Sequence, residues 1–188
     1  MTVSFAPGGW EAAGFDYAYS WRFAALPKFR QEADCIANSQ VPGDPKEFDY
    51  MGLLAPQTYT AGAQISVRCS FEDYGAPMLL ICDAHEIDGD GILRTLEFYE
   101  AVIWKHGLNV WRHHTVNRHT THYLVLGARF PLAEDEPHTL SAQLKTDRMV
   151  FAVDGMSFDL FLHDMPASAR LGYCACEGIC RLYEMTLR

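Results

Sequence analysis

His138 to Phe161 reads HTLSAQLKTDRMVFAVDGMSFDLF. Two alternating runs, Arg148–Asp154 and Met156–Leu162, meet at Asp154-Gly155. An Asp-Gly pair between alternating runs is a strong hairpin signal, because both residues tolerate the left-handed conformation that a tight turn needs. The run before it, His138–Lys145, ends on turn residues at Thr146-Asp147. The segment therefore predicts a three-strand antiparallel meander from about His138 to Leu162.

The rest of the chain follows the same rule. Ala63–Phe71 (AQISVRCSF) alternates, and Ala76–His85 (APMLLICDAH) starts apolar and ends polar. Further strand-like runs are Tyr17–Phe23, Glu32–Ser39, Leu96–Lys105, Leu108–His114, His122–Phe130, Arg170–Glu177 and Gly178–Leu187. Val41–Phe48 (VPGDPKEF) reads as a loop from its Pro and Gly content. Long amphipathic helical patterns and internal repeats are missing. Short strands separated by turn residues predict an all-β chain, a sandwich or barrel in one domain over 1–188.

Composition narrows the function classes. The net charge of −9 repels a phosphate backbone and an anionic membrane surface, which argues against nucleic-acid and membrane partners. No run is long and apolar enough to span a bilayer, and the N-terminal residues lack a signal-peptide pattern, so the expectation is cytoplasmic. Six cysteines are then read as reduced, mostly buried thiols. Cys174, Cys176 and Cys180 have ligand-like spacing but no fourth ligand nearby, and packing is the preferred reading.

The segments HTLSAQLKTDRMVFAVDGMSFDLF and ARLGYCACEGICRLYEMTLR, in that order, resemble the C-terminal half of concanavalin A-like lectin/glucanase domains, the laminin G-like jelly rolls. The Ala76–His114 segment is similar to bacterial galectin-like sandwiches found beside polysaccharide-degradation genes. The resemblance covers roughly residues 15 to 188. It implies a two-sheet antiparallel jelly roll whose last strand lies beside its first. It also implies that carbohydrate is held on the concave face of one sheet.

Retaining glucanases of that fold carry paired carboxylates on one face of a strand, at positions i and i+4. Here LEFYEAV offers Glu97 and Glu100, whose spacing of three puts them on opposite faces, with no Asp between. The paired motif is absent. A hydrolase or lyase would need carboxylates from different strands.

Alternation sorts the stretch LEFYEAVIWKHGLNVWRHH, Leu96–His114. Glu100 and Trp104 share a face, as do Asn109, Trp111 and His113; Asp83 and His85 share a face at the end of the preceding strand. All seven are expected to look into one concavity. Indole faces would stack on sugar C–H surfaces, and carboxylate, amide and imidazole groups would meet hydroxyls. Glu100, His113 and Asp83 are the catalytic candidates. His85, Trp104, Asn109, Trp111 and Arg112 are the ligand-binding candidates, Arg112 as a fork for a sugar carboxylate.

Bland readings compete with these. Large aromatics are mostly buried, so for Trp104 and Trp111 taken singly the core is the preferred reading. Adjacent His113 and His114 point to opposite faces, so at most one serves a site. His113, His114, His119 and His122 lack a zinc-site spacing, and Val116-Asn117-Arg118 reads as a loop. Asp88 and Asp90 resemble the start of a calcium loop without completing it, and a polar turn is the preferred reading. No cofactor is expected, with calcium as a minor alternative. The partner expected is an oligosaccharide. A purely structural module is the third reading, and a homo-oligomer is left open.

Overall fold

The computed structural model describes residues 1–38 and 49–188. Its strands are β1 (Thr2–Ser4), β2 (Asp16–Ser20), β3 (Arg30–Gln31), β4 (Ile36–Ala37), β5 (Met51–Tyr59), β6 (Gln64–Glu72), β7 (Pro77–Ile87), β8 (Leu93–Trp104), β9 (Gly107–Val116), β10 (His119–Arg129), β11 (His138–Leu144), β12 (Arg148–Val153), β13 (Met156–Phe161), β14 (Ala169–Ala175) and β15 (Ile179–Leu187). One 3₁₀ turn, Glu11–Ala13, precedes β2.

Two sheets stack face to face. The first runs β13-β12-β11-β6-β15-β4-β3, with β1 also paired to β15. The predicted meander is its β11–β13 edge, and Asp154 and Gly155 both take positive φ, 48° and 87°, in the β12–β13 turn. The last strand does lie beside the first, with Val3 opposite Met185. The second sheet has β10, β9, β8, β7, β14, β5 and β2 as successive neighbours. These are the two antiparallel sheets of a jelly roll.

Period-two alternation fills the space between the sheets. Ile65, Val67 and Phe71 from β6, and Leu140, Met149 and Phe151 from β11 and β12, meet Leu79, Ile81, Ala101, Ile103, Leu108 and Val110 from the other sheet. Each of these side chains larger than Ala contributes roughly 1.5–3 kcal/mol by leaving water.

The second sheet has a further feature. At its far edge β2 turns back and pairs in parallel with the start of β8, Ala18 opposite Leu93 and Ser20 opposite Thr95. Strands β8, β2, β5, β14 and β7 thus form a closed ring. A second core fills it: Ala18, Tyr50, Leu54, Met78, Leu80, Cys82, Leu93, Phe98 and Cys174, with Phe23 packed beside them. Gly52 permits the closure, since a Cβ there would meet Ala18 O at 3.0 Å and Leu80 Cδ2 at 3.1 Å. Arg170 ties one end of the ring, donating from Nε to Ala55 O at 2.7 Å and pairing with Asp16 at 2.6 Å.

Three strand expectations change. β5 had not been anticipated, because it is buried on both faces, in both cores, and so shows no alternation. Of the run Glu32–Ser39 only the short β4 is strand among the described residues, and it pairs across a turn with β3, which precedes the run. The Val116–Arg118 loop is a two-residue turn: Asn117 and Arg118 have φ of 50° and 66°, Val116 pairs with His119, and β10 starts three residues before the expected His122. The expected Val41–Phe48 loop lies outside the described residues. All six cysteines are free thiols, five of them buried; Cys174 sits in the ring core and Cys180 between the sheets, which separates the ligand-like trio.

Candidate functional site

The antiparallel register of β7, β8 and β9 decides which side chains share a face. Leu80 lies opposite Glu100 and Cys82 opposite Phe98; Glu100 then faces Trp111, Phe98 faces His113, and Val102 faces Asn109. Glu100, Trp104, Asn109, Trp111 and His113 therefore line one cavity of about 540 Å³ on the outer face of the second sheet. Both indoles are half-buried there rather than in the core. The volume is in the usual range of small-molecule sites.

Glu100 forms the polar floor. It is 4% exposed, and its Oε1 accepts a 2.7 Å hydrogen bond from the Tyr50 hydroxyl. His113 Nε2 lies 2.7 Å from its Oε2, an ion-pair contact without the alignment of a good hydrogen bond. Burial pushes the Glu100 pKa up, but the charge and ring N–H of His113, with the Tyr50 hydroxyl, outweigh it and hold the carboxyl below its ordinary value. Burial, with Cys174 and Glu100 beside it, pushes Tyr50 well above the usual phenol value, so it stays a neutral donor.

The imidazole of His113 is clamped between rings, 4.4 Å from Phe98 and 5.3 Å from His122. Its Nδ1 is buried without a partner, and so is Trp104 Nε1. Such atoms cost free energy unless something pairs with them. Partial burial, Arg22 and His113 hold the His122 pKa below its ordinary value, so this rim imidazole is neutral near pH 7.

Several lining residues were not anticipated from sequence. Arg22 follows β2, and its guanidinium lies 5.2 Å over the Phe23 ring with no ion-pair partner among the described residues. Phe23 stacks on Tyr50 at 5.2 Å. At the opposite end the β8–β9 turn brings Lys105, whose ammonium sits 4.8 Å over Tyr74, and His106, whose ring meets Trp104 edge-on at 4.8 Å. Gly107 closes that turn with φ of 136° and no room for a Cβ beside the Ala128 carbonyl. Glu134 and Glu177 complete the rim; burial raises the Glu177 pKa against the pull of Arg22. Cys176 also lines the cavity, and burial pushes its thiol up, out of nucleophilic range.

Three expected residues lie elsewhere. Asp83 is on the inward face, one residue out of phase with Cys82, and holds the Arg112 fork at 2.9 and 3.1 Å. Arg112 also donates to Glu97 Oε2 at 2.9 Å and stacks 4.4 Å over Tyr99. Its charge is spent inside the protein, which removes it as a carboxylate receptor for this cavity. His85 is displaced by register shifts on both sides of Ala84 and is exposed near Arg170, outside the cavity; partial burial and the Arg170 charge lower its pKa.

The other metal-like patterns are also accounted for. His114 is exposed and contacts Glu97. Asp88 accepts the N–H groups of Asp90 and Ile92 and pairs with Arg94 Nε at 2.9 Å, so the calcium-like segment is a turn whose carboxylate is already used. No group of three or more metal-ligating side chains converges among the described residues.

No protein-family model and no curated relative matches the sequence. Solved structures match well. A protein of unknown function with a galectin-like fold from Bacillus subtilis superposes with a TM-score of 0.66 at 10% identity, covering 100% of this chain and 94% of its own. The carbohydrate-binding module CBM66 from Bacillus subtilis gives 0.63 at 10% identity, covering 86% and 91%. β-Agarase A from Zobellia galactanivorans gives 0.59 at 9% identity, covering 87% and 75%. The chain thus shares the two-sheet jelly-roll fold of these solved structures.

Proposed function

We propose that the protein binds an oligosaccharide in the cavity on the outer face of the second sheet, in a bacterial polysaccharide-degradation setting. One observation carries the reading: Trp104 and Trp111, half-buried, line the same cavity as the Asn109 amide and the Arg22 guanidinium, which has no ion-pair partner among the described residues. Half-exposed indoles offer flat apolar surfaces for sugar C–H faces, and amide and guanidinium groups pair with hydroxyls. Sugar-related proteins among the structural neighbours support the same reading.

The test is a thermal-shift screen against plant, algal and bacterial oligosaccharides, with tryptophan fluorescence and chromatography of every hit. A sugar present at about a hundred times its Kd stabilises the fold by about 2.7 kcal/mol. A flat response across the panel rejects the reading.

A hydrolase or lyase reading rests on a different observation. Two carboxyls of the cavity have pKa values displaced in opposite directions, Glu100 downward and Glu177 upward. That division suits a base or nucleophile and a proton donor. It predicts shortened products that vanish in Glu177→Gln while the variant still binds.

A further inference from the structure

We infer that the cavity receives the end of a glycan chain, not an internal stretch lying across the sheet. This rests on the sugar-binding reading above.

A sugar chain crossing the outer face of a sheet needs a groove open at both sides. Here one side is blocked by the ring of β8, β2, β5, β14 and β7. Where the groove would continue past Glu100 toward β5, the space is filled by the second core, and Leu54, Leu80 and Phe98 are fully buried there. Tyr50, Met78 and Cys176 stand as the wall of the cavity against that core.

The two strand-end sides are also walled. Toward the β9–β10 turn the chain after β2 crosses over as a strap. Trp21 is held between the Arg94 and Arg118 guanidinium groups, 4.7 Å from each, and donates from Nε1 to Glu86 at 3.0 Å. That fixes Arg22 at the cavity and Phe23 against Tyr50. Toward the β8–β9 turn, Lys105 over Tyr74 closes the opposite end.

The remaining side is β10, the edge strand, where His122 and Leu124 are exposed. A chain can therefore enter over β10 and stop at Tyr50. Its terminal unit would meet Glu100, Arg22 and the buried Nδ1 of His113 near the floor. The units behind it would pass Trp111 and leave over His122. The requirement is a free chain terminus.

Length and capping test it. Gluco-, manno-, xylo- and agaro-oligosaccharides, each as tetramer and dodecamer, are titrated by calorimetry. The expected result is one protein per chain at both lengths, with Kd values per chain within about twofold. Each binding tetramer is then capped, either at its reducing end with aminobenzamide or at its non-reducing end by methylation of the terminal O4. One cap is expected to weaken binding about tenfold or more and the other to leave it unchanged. Two or more proteins on a dodecamer, or tolerance of both caps, overturns end-on binding while leaving sugar binding intact. Absence of binding in every series overturns both.

Discussion

Strands β8 and β9 carry a charged cluster on each face, and the two clusters behave differently. Inward, Arg112 is shared by Asp83 and Glu97 and stacks on Tyr99, so its fork is saturated. Outward, Glu100 is shared by Tyr50 and His113, yet His113 Nδ1 and, farther along the same cavity, Trp104 Nε1 have no partner among the described residues. Arg112 and His113 are adjacent in sequence. The inward cluster has the character of scaffold, and the outward one that of a site. What separates them is which group is left unsatisfied, not how many charges are present.

The largest expected break of this contrast is Arg112→Met. It strands two partly buried carboxylates and should cost about 3 kcal/mol of unfolding free energy in urea titration. Sugar affinity should stay unchanged wherever the variant is folded; a parallel loss of affinity would show the two faces to be coupled. Trp111→Ala should do the reverse, removing about 2 kcal/mol of binding free energy by calorimetry, the scale of an interface hot spot. Its effect on unfolding should be smaller than that of Arg112→Met.

Glu100→Gln sharpens the comparison through pH. The folded pKa of Glu100 lies below its ordinary value of 4.5, so its stabilising contribution is present above that pH and is lost as pH falls through the lower folded pKa. The wild type should therefore lose stability on acidification below about pH 4.5 by an amount missing in the variant. At neutral pH the variant should be about 1–2 kcal/mol less stable, because the Tyr50 hydroxyl and His113 lose a carboxylate partner in a buried site. A flat difference between the two across the acid range would sink this account. The smallest effect is expected at Glu177, whose raised pKa means that the folded state favours its protonated form. Glu177→Gln should stabilise the protein slightly at neutral pH, by less than the Glu100→Gln loss, since the rim is half open to water.

Much of this arrangement is readable from residues alone, and the limits have physical causes. The β11–β13 meander shows itself through Asp154-Gly155, because a two-residue turn is a local property. Glu100, Trp104, Asn109, Trp111 and His113 come together because alternation holds along β8 and β9. Asp83 fails for the opposite reason. Faces within a strand follow from alternation, but matching one strand's faces to its neighbour's needs the register, and a slip of one residue reverses every side chain. His85 fails because register shifts in β7 are invisible in composition. Tyr50 stands before the doubly buried β5, and Arg22 falls in the expected run Tyr17–Phe23 but beyond the end of β2 at Ser20, on a strap held by Trp21. Only long-range contacts bring them to Glu100.

The position of β15 has a consequence for the order of folding. It is the last strand in the chain, yet it sits inside the first sheet, paired with β6, β4 and β1. A chain emerging from the ribosome can assemble the β11–β13 meander early, because its contacts are local. It cannot complete the first sheet until β15 has been made. Until then β6 presents an unpaired edge. Contacts this distant in sequence place folding in the millisecond-to-second range. Docking of β15 between β6 and β1 is the step that commits the sandwich to close.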